Sequence, residues 1–367
     1  MSTQTRDFPE LIRETQELAQ SVSGDVKLME VCGTHTMSAF KSGLRSLLPA
    51  NISLLSGPGC PVCVTPDSYV DLAVGISRLD GVIVVTYGDM MKVPGNSSSL
   101  EREKAGGADI RVVYSPVESL RISEANRDKR VVFLGVGFET TAPLSGMIIK
   151  KAVERSIDNL FLLSAHKLIP PAMKLLLSSS DHDIQGFMCP GHVSVITGPE
   201  VYEPLTSEFN VPCVITGFEA WDMASGINML LYQIREGRHE VENQYERSVR
   251  PGGNPKARGV MEDVFEVCDS EWRGIGIVPD SGLSLRERFR RFDAYSEFSS
   301  IEVEDSVKHS GCICGEVLKG LKRPFECGLF AEECTPDNPY GPCMVSSEGS
   351  CAAYYRFGRD GRGHDGE

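Results

Sequence analysis

Six of the 12 cysteines in the chain crowd its C-terminal end, where they indicate a metal site. Four of them follow the pattern C-x14-C-x6-C-x16-C, namely Cys312, Cys327, Cys334 and Cys351. Four thiolates are soft ligands that suit either a [4Fe–4S] cluster or a tetrahedral zinc ion. Structural zinc sites favour paired C-x2-C knuckles, which this segment lacks, so the wide spacing favours iron–sulfur.

Two cysteines of the same segment, Cys314 and Cys343, remain after four ligands have been counted. Clustered cysteines point to metal or redox chemistry, because stable disulfides are rare in reducing compartments. We therefore predict that these two form a redox dithiol beside the metal site. Cys213 and Cys268 lie within apolar runs instead, and we predict that both are buried core residues.

A second candidate site is the sequence Gly-Pro-Gly-Cys-Pro-Val-Cys at 57–63, which directly follows an apolar run at 52–55. The run predicts a strand, so Cys60 and Cys63 are expected where a strand ends and a helix starts. A helix N-terminus stabilises thiolates and lowers the pKa of a nearby thiol. The spacing therefore predicts a redox-active or metal-binding pair, and a structural role for a lone C-x-x-C is the alternative.

A third candidate, Cys-Gly-Thr-His at 32–35, follows the apolar run at 26–31. Cys32 and His35 could ligate one metal ion together, or His35 could activate Cys32 as a base. A purely structural turn is the alternative. Functional sites in open parallel sheets gather at the carboxyl ends of strands. We therefore expect Cys32 to face the same crevice as the C-x-x-C pair.

Five more polar residues lie at or just after the ends of predicted strands. They are Glu139, His166, Cys189, His192 and Glu219. Side chains at such positions are candidates for supporting partners or acid–base groups that face a cleft between two lobes. For each carboxylate taken singly, a solvated loop position is the plain alternative.

The elements that must position these residues alternate between short apolar runs and helical patterns, as is typical of buried parallel strands in βαβ units. We predict an α/β fold with two parallel-sheet α/β lobes and a small C-terminal iron–sulfur domain. The predicted divisions are an N-terminal helix (1–23), a first lobe (24–137), a second lobe (138–255) and a C-terminal region (256–367) with its cluster segment at 309–355.

Charge and composition exclude several classes of function. The 37 basic and 51 acidic residues give a net charge of −14, which disfavours binding to nucleic acids and anionic membranes. Residues 1–20 lack the apolar core of a secretory signal, and no run of about 18 apolar residues predicts a transmembrane helix. We therefore expect a cytoplasmic protein. The motifs of phosphate loops, dinucleotide-binding turns and serine nucleophile elbows are absent from the sequence.

Together these motifs resemble the HypD family of [NiFe]-hydrogenase maturation proteins, and the resemblance runs along nearly the whole chain. It rests on the cysteine motifs at 32–35 and 57–63, on the C-terminal cysteine pattern, and on three further sequences. These are Gly-Phe-Glu-Thr-Thr-Ala-Pro at 137–143, Cys-Pro-Gly-His-Val-Ser at 189–194 and Gly-Pro-Cys-Met-Val-Ser at 341–346.

The resemblance implies a scaffold that assembles the Fe(CN)2CO group of [NiFe]-hydrogenase and has redox activity, rather than a stand-alone enzyme. It implies a small HypC-type partner that shares the iron with Cys32, a HypE-type partner that delivers cyanide, and transfer to the hydrogenase large subunit. It also implies that His35 lies beside the iron and that Cys60 and Cys63 are a functional dithiol. The implied ligands of a [4Fe–4S] cluster are Cys312, Cys327, Cys334 and Cys351.

Two other functions are compatible with the residues alone. One is a zinc-stabilised interaction scaffold without redox chemistry, since four thiolates also hold zinc. The other is a self-contained thiol–disulfide oxidoreductase that uses Cys60 and Cys63. The assembly scaffold explains more of the sequence, because an oxidoreductase does not need Cys32 and His35.

Overall fold

The computed structural model describes residues 7–303 and 311–358, and in this part of the chain the fold is α/β with two parallel sheets. The predicted fold class is therefore confirmed for the sheets, whereas the C-terminal iron–sulfur domain stays a prediction. Parts of the predicted segments 1–23, 256–367 and 309–355 lie outside the described residues.

The strands and helices follow one another in the alternation that the apolar runs predict. The strands are β1 (Val26–Glu30), β2 (Ile52–Ser56), β3 (Val82–Thr86), β4 (Ile110–Val112), β5 (Arg130–Gly137), β6 (Leu160–His166), β7 (Gly186–Pro190), β8 (Cys213–Thr216), β9 (Val241–Asn243), β10 (Phe265–Trp272) and β11 (Gly276–Leu285). The helices are α1 (Phe8–Ser21), α2 (Gly33–Lys41), α3 (Leu44–Leu47), α4 (Asp67–Ser77), α5 (Leu100–Ala105), α6 (Val117–Ala125), α7 (Ala142–Glu154), α8 (Ile169–Ser178), α9 (Gly191–Thr197), α10 (Glu203–Phe209), α11 (Ala220–Glu236), α12 (Pro255–Val264), α13 (Ala294–Glu297), α14 (Cys314–Leu318), α15 (Pro342–Val345) and α16 (Ser350–Phe357). Among the described residues, every helix is too short or too polar to cross a bilayer.

The larger sheet has the strand order β2-β1-β7-β8-β9, and the smaller sheet has the order β4-β3-β5-β6. Every pairing within these two sheets is parallel. β10 and β11 form a separate antiparallel hairpin. The larger sheet thus takes its strands from two distant stretches of chain, and the smaller sheet is formed by the stretch between them.

This arrangement differs from the predicted order of two successive lobes, at 24–137 and 138–255, because β1 pairs with β7. Gly186 in β7 permits the close contact. A Cβ at this position would come within 3.0 Å of the Leu28 side chain and 3.1 Å of the Leu230 side chain. A short apolar run predicts a buried strand, but its pattern does not identify the neighbouring strand.

The central strands are buried on both faces, which explains their continuous apolar sequences. All five residues of β3 are buried. On the outer face of the larger sheet, Leu18 of α1 and Leu231 of α11 pack in one cluster with Leu28 of β1. The inner face shares a second cluster with the smaller sheet, where Met29 of β1 and Leu134 of β5 both belong. The two sheets therefore enclose a common core.

A buried ion pair holds the first helices against the end of β1. The Glu30 carboxylate accepts hydrogen bonds from the Arg45 guanidinium at 2.7 Å and from the Thr36 hydroxyl at 2.8 Å. Arg45 also donates to the carbonyl of Leu54 in β2 at 2.7 Å. Burial raises the pKa of Glu30, and the charge of Arg45 opposes that rise. The pair fixes the turn in which Cys32 lies.

Replacing Arg45 with Leu should lower the free energy of unfolding by about 3 kcal/mol, because Glu30 is left buried without its cation. Arg78→Leu is the matched control, since the pair of Arg78 with Glu103 lies at the surface and should contribute less than about 1 kcal/mol. Chemical denaturation measures both variants. The loss in Arg45→Leu should shrink as the pH falls through the raised pKa of Glu30, because protonation removes the buried charge. Equal losses in the two variants would contradict this account.

Candidate metal and thiol site

Cys32 lies directly after β1 and caps the N-terminus of α2. Its side chain is 3% exposed, and its Sγ lies 4.0 Å from Nε2 of His192. Burial, helped by the carboxylate of Glu348, raises the pKa of Cys32 to about 12, and the backbone N–H groups of Thr34 and His35 oppose that rise. The side chain by itself is therefore a neutral thiol at neutral pH, with hydrogen-bond donors placed to stabilise a thiolate.

His35 is fully buried and joins α2 to the end of β8. Its Nε2 lies 2.9 Å from the hydroxyl of Thr216 and 3.0 Å from the carbonyl oxygen of Gly217. The ring stacks on Phe218 with centroids 4.7 Å apart. Burial lowers the pKa of His35 to about 4, so the ring is neutral. The contacts of its Nε2 are thus with the chain after β8 and not with the Cys32 thiol.

The imidazole in contact with the Cys32 thiol belongs to His192, in the first turn of α9. This ring lies 5.0 Å from Phe218, which therefore separates it from His35. Burial lowers the pKa of His192 to about 4. A neutral imidazole can accept a proton or ligate a metal through its free nitrogen, so His192 is the nearest base to the thiol.

Cys60 and Cys63 form a disulfide in the loop after β2, and their side chains are 3% and 0% exposed. The loop lies directly against the Cys32 turn. The N–H of Gly33 donates to the carbonyl of Gly59 at 3.1 Å, and a Cβ on Gly59 would lie 2.2 Å from the backbone nitrogen of Cys32. The two cysteine motifs are therefore side by side, as expected for the ends of neighbouring parallel strands.

All six cysteines of the C-terminal segment line one pocket, which we call the thiol pocket. Within it, the thiols of Cys312 and Cys314, of Cys314 and Cys343, and of Cys343 and Cys351 lie close enough to affect one another's pKa. In the part of the chain that the structure describes, no three His, Cys, Asp or Glu side chains converge closely enough to hold a single metal ion. The donor set itself fits a [4Fe–4S] cluster, whose protein ligands are four cysteine thiolates.

The C-terminal segment closes against both of the earlier cysteine motifs. The Thr34 hydroxyl donates to Oε1 of Glu348 at 2.8 Å, and a Cβ on Gly33 would lie 2.3 Å from the carbonyl oxygen of Glu348. Cys63 Sγ lies 3.9 Å from the carbonyl oxygen of Pro342 in α15. The thiol pocket, the disulfide loop and the Cys32 turn are therefore parts of one continuous site.

Arg273, in the turn between β10 and β11, supplies a positive charge beside the thiol pocket. Its backbone N–H donates to the carbonyl of Val64 at 2.9 Å, and its guanidinium pairs with Asp67 at 2.7 Å. The charge of Arg273 opposes the rise in pKa that Cys312 and Cys314 otherwise undergo. This residue therefore connects the segment after the disulfide loop to the cysteine-rich segment electrostatically.

The other predicted polar residues take different positions. Cys189 is hydrogen-bonded to Cys213, and both are fully buried, which confirms Cys213 as a core residue. Glu219 is exposed and caps the N-terminus of α11. Glu139 follows β5 and His166 ends β6, so both belong to the carboxyl edge of the smaller sheet.

The prediction that Cys268 is a buried core residue is wrong, because this residue is partly exposed. It lies in β10, an edge strand of a two-stranded hairpin, between the exposed residues Val267 and Asp269. Sequence reasoning also missed Phe218, Arg273 and Glu348. Phe218 lies in the Gly-Phe-Glu turn after a predicted strand and could have been found there, whereas an isolated charged residue gives no local signal of its distant partner.

The chain is similar to one known protein family along almost its whole length. The family model described as "HypD: Hydrogenase formation hypA family" matches residues 7–358. Hydrogenase maturation factor HypD of Azotobacter vinelandii is 44% identical over 340 residues, which cover 91% of this chain and 89% of that protein. The factor of the same name from Cupriavidus necator is 44% identical over 361 residues, with 94% and 95% covered. That of Escherichia coli K12 is 41% identical over 358 residues, with 96% and 95% covered.

A Gly59→Ala substitution should disturb the site, because the added Cβ would overlap the backbone of Cys32. Overpacking of this kind costs about 1–3 kcal/mol, and the displaced loop should expose Cys32 to alkylating reagents. Thermal unfolding and the rate of Cys32 alkylation, followed by mass spectrometry, measure the two effects. Gly259→Ala is the control, since a Cβ there meets open space. Unchanged alkylation in Gly59→Ala would show that the contact does not shield Cys32.

Proposed function

Because this chain belongs to the HypD family and therefore has a role in hydrogenase maturation, we propose that it is the scaffold on which the Fe(CN)2CO group of [NiFe]-hydrogenase is assembled. The observation that carries the proposal is the position of Cys32. Its thiol touches the neutral imidazole of His192 and lies beside the Cys60–Cys63 disulfide. A metal-binding thiol, a base and a redox pair thus meet at one sheet edge.

Cys32 is the protein ligand of the iron under construction in this proposal. A soft thiolate holds Fe(II) and leaves positions open for cyanide and carbonyl ligands. Forming the thiolate requires loss of the thiol proton, and burial alone disfavours the charge. The backbone N–H groups at the start of α2 and the positive charge of the iron offset that cost. Binding of the iron and deprotonation of the thiol are therefore one coupled event.

His192 relays that proton to solvent, because its Nε2 is 4.0 Å from the Cys32 sulfur, its ring is partly exposed, and a pKa of about 4 prevents it from keeping the proton. His35 has a different task in the proposal. Its hydrogen bonds to the segment after β8 hold the first turn of α2 in place and keep Phe218 against His192. His35 thus positions the helix end that stabilises the thiolate.

Cys60 and Cys63 supply electrons to the site. Two thiols release two electrons and two protons when they become a disulfide. The pair lies against the Cys32 turn and is shielded from solvent, so its electrons are delivered next to the iron and not to a dissolved oxidant. The disulfide that the structure contains is the oxidised form of this pair.

We further propose that the thiol pocket holds a [4Fe–4S] cluster, which would supply electrons one at a time when bound. The pocket fits this group because its lining combines sulfur donors with apolar side chains. The ligands that the family resemblance implies are Cys312, Cys327, Cys334 and Cys351.

Cys314 and Cys343, the other two thiols of the pocket, lie close enough for each to affect the pKa of the other. As a dithiol they can reduce the Cys60–Cys63 disulfide by exchange. One S–S bond forms between Cys314 and Cys343, the other breaks, and two electrons with two protons pass to Cys60 and Cys63. The contact of Cys63 with Pro342, the residue before Cys343, supports this route.

The partners in this proposal are those that the family resemblance implies, and the protein acts in the cytoplasm. A small HypC-type protein shares the iron, a HypE-type protein delivers cyanide, and the hydrogenase large subunit receives the finished group. His192 is partly exposed beside the buried Cys32, so a partner can approach the iron from this side.

The burial of the disulfide disfavours the alternative of a self-contained oxidoreductase. Sulfur atoms of residues that are 3% and 0% exposed are out of reach of an external disulfide substrate. The zinc-scaffold alternative predicts a colourless protein, whereas a [4Fe–4S] cluster absorbs visible light and contains iron. Metal analysis of anaerobically purified protein therefore separates these two.

Infrared spectroscopy of the protein purified anaerobically with its small partner tests the assembly site. We expect bands in the cyanide and carbonyl stretching region, and we expect Cys32→Ala to lose them because the iron loses its ligand. Cys268→Ala should keep them, since Cys268 is a partly exposed cysteine that does not line the thiol pocket. Bands that persist in Cys32→Ala would place the iron on another residue.

Cys314→Ser and Cys343→Ser test the electron route. Each variant should mature hydrogenase poorly, because the exchange needs both thiols, and should retain the iron and sulfide content of the unchanged protein. Cys268→Ser controls for the loss of a cysteine. Normal maturation by both variants would rule out the route while leaving the role of Cys32 intact.

A further inference from the structure

A cavity of about 410 Å³ lies at the carboxyl edge of the smaller sheet, separate from the thiol pocket. Its volume is within the range of sites for small organic molecules. Glu139, two residues after β5, lines it together with Pro170 and Pro171 from α8, Ile196 from α9 and Met261 from α12. Elements that follow both sheets therefore form its walls, which are mostly apolar, and one side is open to solvent.

Glu139 is the unusual group in this wall. It is 2% exposed, and its Oε1 accepts a hydrogen bond from the backbone N–H of Ile169 at 2.8 Å. Its Oε2 is buried and makes no hydrogen bond within the described residues. Burial raises the pKa of Glu139 to about 7. Leaving a buried carboxylate oxygen without a donor costs free energy, so a bound group that donates a hydrogen bond to Oε2 would be stabilised here.

Two other buried carboxylates of the protein are paired with guanidinium groups. Glu30 pairs with Arg45 at 2.7 Å, and Asp222 pairs with Arg247 at 2.5 Å. Glu139 lies beside a cavity, whereas Glu30 and Asp222 each lie beside an arginine side chain. The comparison indicates that the missing partner of Glu139 is a cation.

An anion does not fit this position, even though it adjoins the N-terminus of α8. Pro170 and Pro171 have no N–H groups, and the N–H of Ile169 already donates to Glu139. The first turn of α8 therefore offers an anion little to bind, and the carboxylate repels it.

The other polar groups that line the cavity are also compatible with a ligand that donates hydrogen bonds. The Thr197 hydroxyl lines the cavity and donates within its own helix, so its lone pairs can accept. Arg258 does not neutralise Glu139, because its guanidinium donates to the carbonyl of Gly252 at 2.9 Å and lies 3.7 Å from Glu262. The charges of Arg258 and Glu262 offset each other at the rim.

We propose that this cavity binds an organic ammonium group carried on a short alkyl chain, with Glu139 as the charge partner and Thr197 as a second acceptor. The apolar walls contact the alkyl chain. The source is either a free small amine or a lysine side chain, which presents the same chemistry. This site is independent of the assembly function proposed for Cys32.

Titration calorimetry of the full chain with n-butylammonium chloride and with n-butanol tests the proposal, because the two probes share an alkyl chain and differ in charge. We expect saturable binding of butylammonium and none of butanol in the same range. Equal binding of the two would overturn the proposal, as would absence of butylammonium binding. Nα-acetyl-lysine-N-methylamide separates the sources, since it binds only if the cavity accepts a side chain of a protein.

Glu139→Gln should weaken butylammonium binding about tenfold or more, because it removes the charge and keeps the acceptor for Ile169. Thr197→Val, which preserves the shape, should weaken it about threefold and serves as a second variant. Glu154→Gln, an exposed carboxylate on α7, is the control that should bind as the unchanged protein does. Undiminished binding by both Glu139→Gln and Thr197→Val would overturn the assignment.

Discussion

Parallel pairing of β1 with β7 brings the turns that follow these two strands to the same edge of the larger sheet. Cys32 and His192 are 160 positions apart in the chain, yet this pairing places their side chains 4.0 Å apart. The pairing of β1 with β2 adds the disulfide loop on one side, and that of β7 with β8 adds the anchor for His35 on the other. The chemistry of the site therefore depends on strand order more than on any single motif.

Much of the fold follows from local sequence, because a strand buried on both faces must be a continuous apolar run. The run at 82–86 corresponds to β3 for that reason, since all five residues of this strand are buried. The contacts within the candidate site, in contrast, cannot be predicted from local sequence. The chain contains the pattern Cys-x-x-His twice, at 32–35 and 189–192, and either imidazole could serve its own cysteine. Because β1 pairs with β7, Cys32 contacts His192 and not His35. The spacing within either motif does not predict this contact.

The cysteine-rich segment packs into the main core of the protein. Leu318 and Cys343 belong to the same buried cluster as Met29 of β1, and a Cβ on Gly320 would lie 2.6 Å from the Met29 side chain. Packing against the two sheets therefore helps to position the thiols, and it joins the thiol pocket to β1 through a common core.

The contact between Thr34 and Glu348 has a consequence for biosynthesis. These residues are 314 positions apart, so the ribosome adds the second long after the first has left the exit tunnel. A nascent chain can pair its early strands, but the wall that Glu348 forms over the start of α2 is missing until residue 348 has been synthesised and has left the exit tunnel. Nascent chains that have not yet reached Glu348 therefore present the Cys32 thiol without this part of its enclosure.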